Sequence, residues 1–197
     1  MPGEPNFRAL FRQYIASSVE ITLADLAQDK APLTTDMRDR AWHVLSFALK
    51  MEGVWPATRD LLLLLAPKLE QAGQRDDWLP YLEAGVAQSQ HCGDPLAEAE
   101  LSLFVGQLHR LVSRFAQART WLTASRQLFA TLNHSQGQAR ALNQLAYLAW
   151  EQHAYPEAER LAENALALLG EADLERAMSL SALGLVALDR KQWGQAE

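Results

Sequence analysis

The segment beginning at Asp94 can be laid over the segment beginning at His134 at a constant offset of 40 residues, without a gap. Ala99-Glu100-Leu101-Ser102 then falls on Ala139-Arg140-Ala141-Leu142, Gly106 on Ala146, Phe115 on Tyr155, Ala118 on Ala158, Leu122 on Ala162 and Leu128 on Leu168. A third copy follows at an offset of 38, with Leu180, Leu183, Gly184, Trp193 and Ala196 on Leu142, Leu145, Ala146, Tyr155 and Ala158. Self-similarity at such a period means one supersecondary unit used repeatedly, and this constrains the fold more than any other feature of the chain.

The content of one copy says what that unit is. Leu142, Leu145, Leu148 and Ala149 recur at the three- and four-residue intervals of a helix with one apolar face. Ala158, Leu161, Ala162, Ala165, Leu166 and Leu169 form a second such stripe, after a short turn at Gln152-His153-Ala154-Tyr155-Pro156. Pro156 suits the first turn of the second helix, where its missing amide hydrogen leaves no bond unmade. Small residues at Gly106, Ala146 and Gly184, and at Ala118, Ala158 and Ala196, predict close approach of paired helices; Phe115, Tyr155 and Trp193 place an aromatic in each turn. Ala, Leu, Gln, Glu and Arg dominate, and unbranched side chains lose little rotamer freedom in a helix. Each copy therefore predicts a helical hairpin that buries its apolar face only by stacking on a neighbour.

These residues resemble the tetratricopeptide repeat (TPR). Leu183-Gly184, Trp193 and Ala196 carry the likeness most closely, followed by Leu145, Tyr155, Ala158 and Ala165, then by Gly106, Phe115, Ala118 and Ser125. The large aromatic usual late in the first helix is replaced by His109, Ala149 and Ala187, and the closing proline is missing. Units of 38 to 40 residues exceed the usual length of about 34 by about one and a half helical turns. Long units of this kind, with loops such as Asn133-His134 and Gly170-Glu171, resemble the repeats of bacterial regulators and STAND-class signalling ATPases. The resemblance implies an all-α fold: a right-handed α-solenoid of stacked antiparallel helical hairpins, the TPR-like superhelix.

Upstream the pattern thins. A further shift of 40 puts Ala66 under Gly106, Leu82 under Leu122 and Gly93 under Asn133, predicting a degenerate hairpin over 56–93 with a break at Ala72-Gly73-Gln74. Pro67 falls inside its first helix, where proline costs about 3 kcal/mol and kinks the axis. Helices from Phe7 to Gln28 and from Asp36 to Met51 make residues 1–55 an N-terminal helical cap, in an order resembling the lead-in to the repeat arm of STAND-class ATPases. Repeats occupy 94–197. The sequence stops at Ala196-Glu197 as the third copy's second helix should begin, so the native chain is expected to continue past Glu197.

Composition narrows the function. Apolar residues make up 49% and charged residues 21%, as in folded proteins. The 18 basic residues are interspersed with 24 acidic ones for a formal charge of −6, which argues against nucleic acid as partner. One cysteine, Cys92, precludes an internal disulfide and fits a reducing compartment. The N-terminal residues Met1 to Pro5 have no basic segment leading into an apolar one, and the longest apolar run, Leu61 to Ala66, is too short to span a bilayer. A cytoplasmic protein without membrane contact is expected. No phosphate-binding loop, Gly-x-Ser-x-Gly elbow or His-Glu-x-x-His helix occurs. His91-Cys92 point in different directions on a helix, and Glu157, Glu159 and Glu163 read as a solvated face. No catalytic residue, cofactor or metal is expected.

The TPR resemblance implies a concave surface lined by the first helices. Its groove positions map to Glu100, Leu103, Gln107, Arg110 and Leu111; to Arg140, Asn143, Tyr147, Trp150 and Glu151; and to Met178, Ser181, Leu185, Leu188 and Asp189. Arg140, Asn143, Tyr147 and Trp150, with Gln107 and Arg110, are the candidate partner-binding set, since Arg, Tyr and Trp dominate binding hot spots. Trp150 packing on the next hairpin is the competing reading. Some TPR domains clamp a terminal carboxylate with several Lys and Asn; only Arg140 and Asn143 resemble such a set, so that activity is not assigned. The expected function is a protein- or peptide-binding scaffold. The alternative is a sensor arm of a larger signalling ATPase, effector enzyme or transcription regulator. A third reading is self-association through the last hairpin at Leu183, Leu185, Val186 and Leu188.

Overall fold

A computed structural model describes residues 6–28, 33–51, 53–71 and 75–194, with side chains throughout except at 69–71, 75 and 191–194. The fold is all-α: nine helices and no strand among the described residues. They are α1 (Phe7–Gln28), α2 (Thr35–Ala48), α3 (Trp55–Gln71), α4 (Arg75–Cys92), α5 (Pro95–Leu111), α6 (Phe115–Thr131), α7 (Ser135–Glu151), α8 (Tyr155–Ala167) and α9 (Arg176–Gly194). They form two compact bodies, Met1–Ala97 and Glu98–Glu197.

Helix length is set by a recurring stop. Gly93, Ser113, Asn133 and His153 all have positive φ (66°, 59°, 54° and 59°), one every 20 residues, after α4, α5, α6 and α7 in turn. Each sits in the same double-bonded turn. Its own amide donates three residues back (Gly93 to Gln90, Ser113 to Arg110, Asn133 to Ala130, His153 to Trp150), at 2.8 to 3.2 Å. The next amide donates five residues back (Asp94 to Ser89, Arg114 to His109, His134 to Phe129, Ala154 to Ala149), at 2.8 to 2.9 Å. This is the Schellman closure, which satisfies carbonyls the helix end would orphan. Left-handed backbone costs most non-glycine residues roughly 1–2 kcal/mol and asparagine less, so at Ser113 in particular the closing hydrogen bonds offset a conformational cost. Gly73 falls on the same step but lies outside the described residues.

In the N-terminal body α1 packs on α2 and α3, and α3 on α4. Ile15, Val19, Leu45, Leu61, Leu62, Leu65, Trp78 and Leu82 fill its core. α3 continues through Pro67, which stands exposed, and α4 through Pro80. Asp94 ends this body as a polar hub. Its carboxylate accepts from the Ala97 amide (3.1 Å), from Trp55 Nε1 (3.1 Å) and from Arg59 (3.2 Å). Burial disfavours the charge, but these three donors outweigh it and hold Asp94 below the ordinary carboxylate range.

In the C-terminal body α7 is flanked by α6 and α8, and α9 packs on both α7 and α8. Ala99, Leu103, Ala118, Leu122, Phe129, Leu145, Ala146, Leu148, Ala162, Ala165 and Val186 form one core. The small residues act as expected in the first hairpin: a methyl group on Gly106 would lie 2.7 Å from Leu122 Cγ. Ser125 Oγ, buried in α6, donates to the Ala99 carbonyl of α5 at 2.8 Å. Two features depart from the repeat. α8 ends early, without a left-handed residue, and an eight-residue connection (168–175) leads to α9. α9 then runs through Arg190-Lys191-Gln192, where the third copy places its turn. All three are good helix formers, and none is Gly, Asn, Asp or His, the types that most readily adopt a left-handed turn. Trp193 therefore belongs to the helix backbone; its side chain, and Ala196, lie outside the described residues.

Candidate binding surface on the first helices

Helices α5, α7 and α9 present a common face, and the side chains proposed for binding stand one repeat apart along it. Arg140 Nη1 on α7 meets both carboxylate oxygens of Glu100 on α5 (2.8 and 3.0 Å), while its Nε lies 3.9 Å from Glu175. Arg110 on α5 reaches forward to Glu151 and, through Nε, to Gln144 Oε1 at 3.3 Å. Its guanidinium carbon stands 5.6 Å from the Tyr147 ring centre, within cation–π range. Tyr147 Oη donates to the Met178 carbonyl (3.3 Å) and Trp150 Nε1 to Asp189 (2.8 Å), both across to α9. Gln107 is half-buried on α5.

These bonds form a ladder in which each first helix is stapled to the next. Their donors and acceptors are charged or polar and partly desolvated, the setting in which such bonds are strongest. The Glu151 oxygen not used by Arg110 is buried without a hydrogen-bond partner among the described residues, a local cost of the arrangement.

Asn143 requires a correction. It is only 1% exposed and faces the start of α9: its amide donates to the carbonyl of Glu175, just before that helix (3.2 Å), and its oxygen accepts from Ser179 Oγ on it (2.7 Å). A side chain so placed joins helices and does not meet a partner. Leu103, its equivalent on α5, is likewise buried. The half-exposed positions are one residue further on, at Phe104 and Gln144, so the accessible stripe runs Glu100, Phe104, Gln107, Leu111 and Arg140, Gln144, Tyr147, Glu151. Spacings of three-four-three and four-three-four both describe one helical face, and they differ by a rotation that only the neighbouring helix resolves. Trp150 is half-buried and bonded to α9, so it packs on the next helix while keeping part of its ring accessible.

Other expectations shift in the same way. Glu157 pairs with Arg119 (2.7 Å) and Glu159 with Arg190 (2.7 Å), so this acidic face is built into ion pairs between helices. Of the residues assigned to an exposed last hairpin, Val186 is fully buried and Leu183 and Leu185 are half-buried, leaving Leu188 at 59% exposure. Among the described residues no group of three or more His, Cys, Asp or Glu could hold a metal ion, and no helix is long and apolar enough to cross a membrane.

No family model matches the chain, and no curated protein matches it. Among solved structures, the crystal structure of BtubC (BKLC) from P. vanneervenii is similar, with a TM-score of 0.70 at 19% sequence identity. The alignment covers 96% of this chain and 80% of that one. At this identity the likeness speaks for the all-helical fold alone.

Proposed function

We propose that the chain is a cytoplasmic module that binds a protein or peptide partner, its C-terminal body being a TPR-like right-handed α-solenoid with the partner on the face of α5, α7 and α9. The supporting observation is the ladder. Tyr147 and Trp150 are fixed through their polar atoms to α9, which leaves parts of their rings accessible, Tyr147 beside the Arg110 guanidinium group. Side chains already held in place lose little entropy when a partner arrives, and aromatic anchors beside arginine are the usual composition of a hot spot. The internal bonds account for most of the polar capacity of this face. Binding would therefore rely on stacking against the accessible parts of the Tyr147 and Trp150 rings more than on new ion pairs.

The test is affinity capture with the wild-type chain and with Tyr147→Ala plus Trp150→Ala, after thermal melting has shown that both are folded. Partner recovery should fall by roughly tenfold or more, since each aromatic anchor is worth ~1–2 kcal/mol or above. Equal recovery by both proteins would remove this face from the proposal.

A further inference from the structure

Leu145 and Tyr147 lie about 200° apart around α7, so the leucine looks away from the ladder. On that side α6 and α8 leave a cleft of about 170 Å³ with Leu142 and Leu145 as its floor. α6 contributes Arg119, Thr123 and Arg126 to its wall, at the four- and three-residue spacing of one helical face. α8 contributes Glu157, Arg160 and Asn164 at the matching spacing, with Leu161 between them. The wall thus holds three guanidinium groups against one carboxylate, in a chain of formal charge −6.

The three arginines are not equivalent. Arg119 is engaged by Glu157 (2.7 Å) and by Gln152 (3.0 Å). Arg126 and Arg160 have no ion-pair or hydrogen-bond partner among the described residues. Two unpaired cations facing one cleft repel one another, and an anion between them relieves that repulsion. Arginine offers a planar fork that fits a carboxylate through two parallel bonds, the geometry family Arg119 already uses with Glu157. The same Glu157 opposes a doubly charged phosphate more than a single carboxylate. The cleft is smaller than the ~300–1,000 Å³ of typical small-molecule sites, and its leucine floor suits aliphatic carbons.

We propose that this cleft is a second binding site, distinct from the ladder face, which takes a glutamate or aspartate side chain and an adjoining aliphatic residue from an acidic segment of a protein partner. Arg126 and Arg160 hold the carboxylate; Thr123 and Asn164 supply further donors at the rim; Leu142, Leu145 and Leu161 receive the aliphatic neighbour.

The experiment uses the full chain and a fluorescent peptide of alternating Glu and Leu, read by anisotropy, with inorganic phosphate as competitor. The peptide should bind, and its Gln-for-Glu counterpart should bind at least about tenfold more weakly. Arg126→Gln with Arg160→Gln should weaken binding about a hundredfold, roughly tenfold for each charge-assisted contact removed. Tyr147→Ala should leave it unchanged, which separates this site from the ladder. Unaltered binding by the double variant overturns the proposal, as does displacement of the peptide by an equal concentration of phosphate, which would mark an adventitious anion site. Should the double variant fail to fold, the Nε–H resonances of Arg126 and Arg160 in the wild-type chain decide: they should shift on adding peptide, and unmoved resonances overturn the assignment.

Discussion

Helices α7 and α9 carry nearly the same pattern and bury very different amounts of it. On α7, Leu142 is 4% exposed and Ala146 and Ala149 not at all; at the equivalent places on α9, Leu180 is 54% exposed and Gly184 and Ala187 lie open. α7 has a second helix on either side, α6 and α8, whereas the described residues place α9 against α7 and α8 only. Gly106 and Gly184 make the same point with a single atom. A methyl group on Gly106 would strike Leu122, and one on Gly184 would meet nothing within 4 Å. Sequence periodicity specifies which face can be buried, and only a neighbour turns that capacity into stability.

The largest expected effect follows from the leucines. Leu142→Ala should cost about 2–5 kcal/mol in urea unfolding, because it opens a cavity between three helices. Leu180→Ala should cost no more than about 0.5 kcal/mol, as for an exposed position. Similar losses at both would show that α9 is covered in solution and would break the comparison. The glycines sharpen it through sign. Gly106→Ala should destabilise by about 1–3 kcal/mol through overpacking on Leu122. Gly184→Ala should stabilise by about 0.5–1 kcal/mol, since alanine loses less entropy than glycine in an open helix interior. A fall in Tm for Gly184→Ala would mean that a helix closes on that face.

The smallest effect concerns how α5 and α9 begin. Asp173, ahead of α9, accepts one amide hydrogen from Glu175, whereas Asp94, ahead of α5, combines a cap with an ion pair. Because the folded pKa of Asp94 lies below its unfolded value of about 3.9, its contribution is complete above that value. It is lost as the pH falls through the lower folded value. Asp94→Asn keeps an acceptor but drops the charge, so it should lower stability modestly at neutral pH and change little in acid, which flattens the acid limb of a stability–pH profile. An unchanged acid limb would show that Arg59 and Trp55 contribute nothing through Asp94.

The helical hairpins were legible in the sequence because close packing demands small residues and leucines at fixed places, and Gly106, Ala118, Leu142 and Ala158 reveal those demands directly. The 20-residue step was not, because Ser113, Asn133 and His153 share a backbone angle and no side-chain chemistry. Asn143 looked like a surface residue for a related reason. A polar side chain in the first helix is consistent with a groove or with a buried bond to the next helix, and only the position of Ser179 decides. The cleft above α7 joins residues from α6 and α8, whose spacing is helical on each but whose convergence depends on how far α7 holds them apart. Arg190-Lys191-Gln192 misled in the opposite direction: the repeat pattern predicted a turn that the local helix preference overrides.

The regular turn step bears on how such a gene can change. Glu100 and Arg140 stand 40 residues apart, Arg110 and Glu151 stand 41, and Trp150 and Asp189 stand 39. In-frame duplication of one 40-residue block would keep the turn step and the helix packing, but a second copy of α7 would set Arg140 opposite another Arg140 where α5 supplies Glu100, so the new rung would need a change of charge. Insertion or loss of one residue inside α7 would instead swing every later side chain on that helix by about 100° and unpair several rungs at once. Small indels should therefore be tolerated at residues 168–175, where the step is already broken, and be purged from the helices between Pro95 and Glu151.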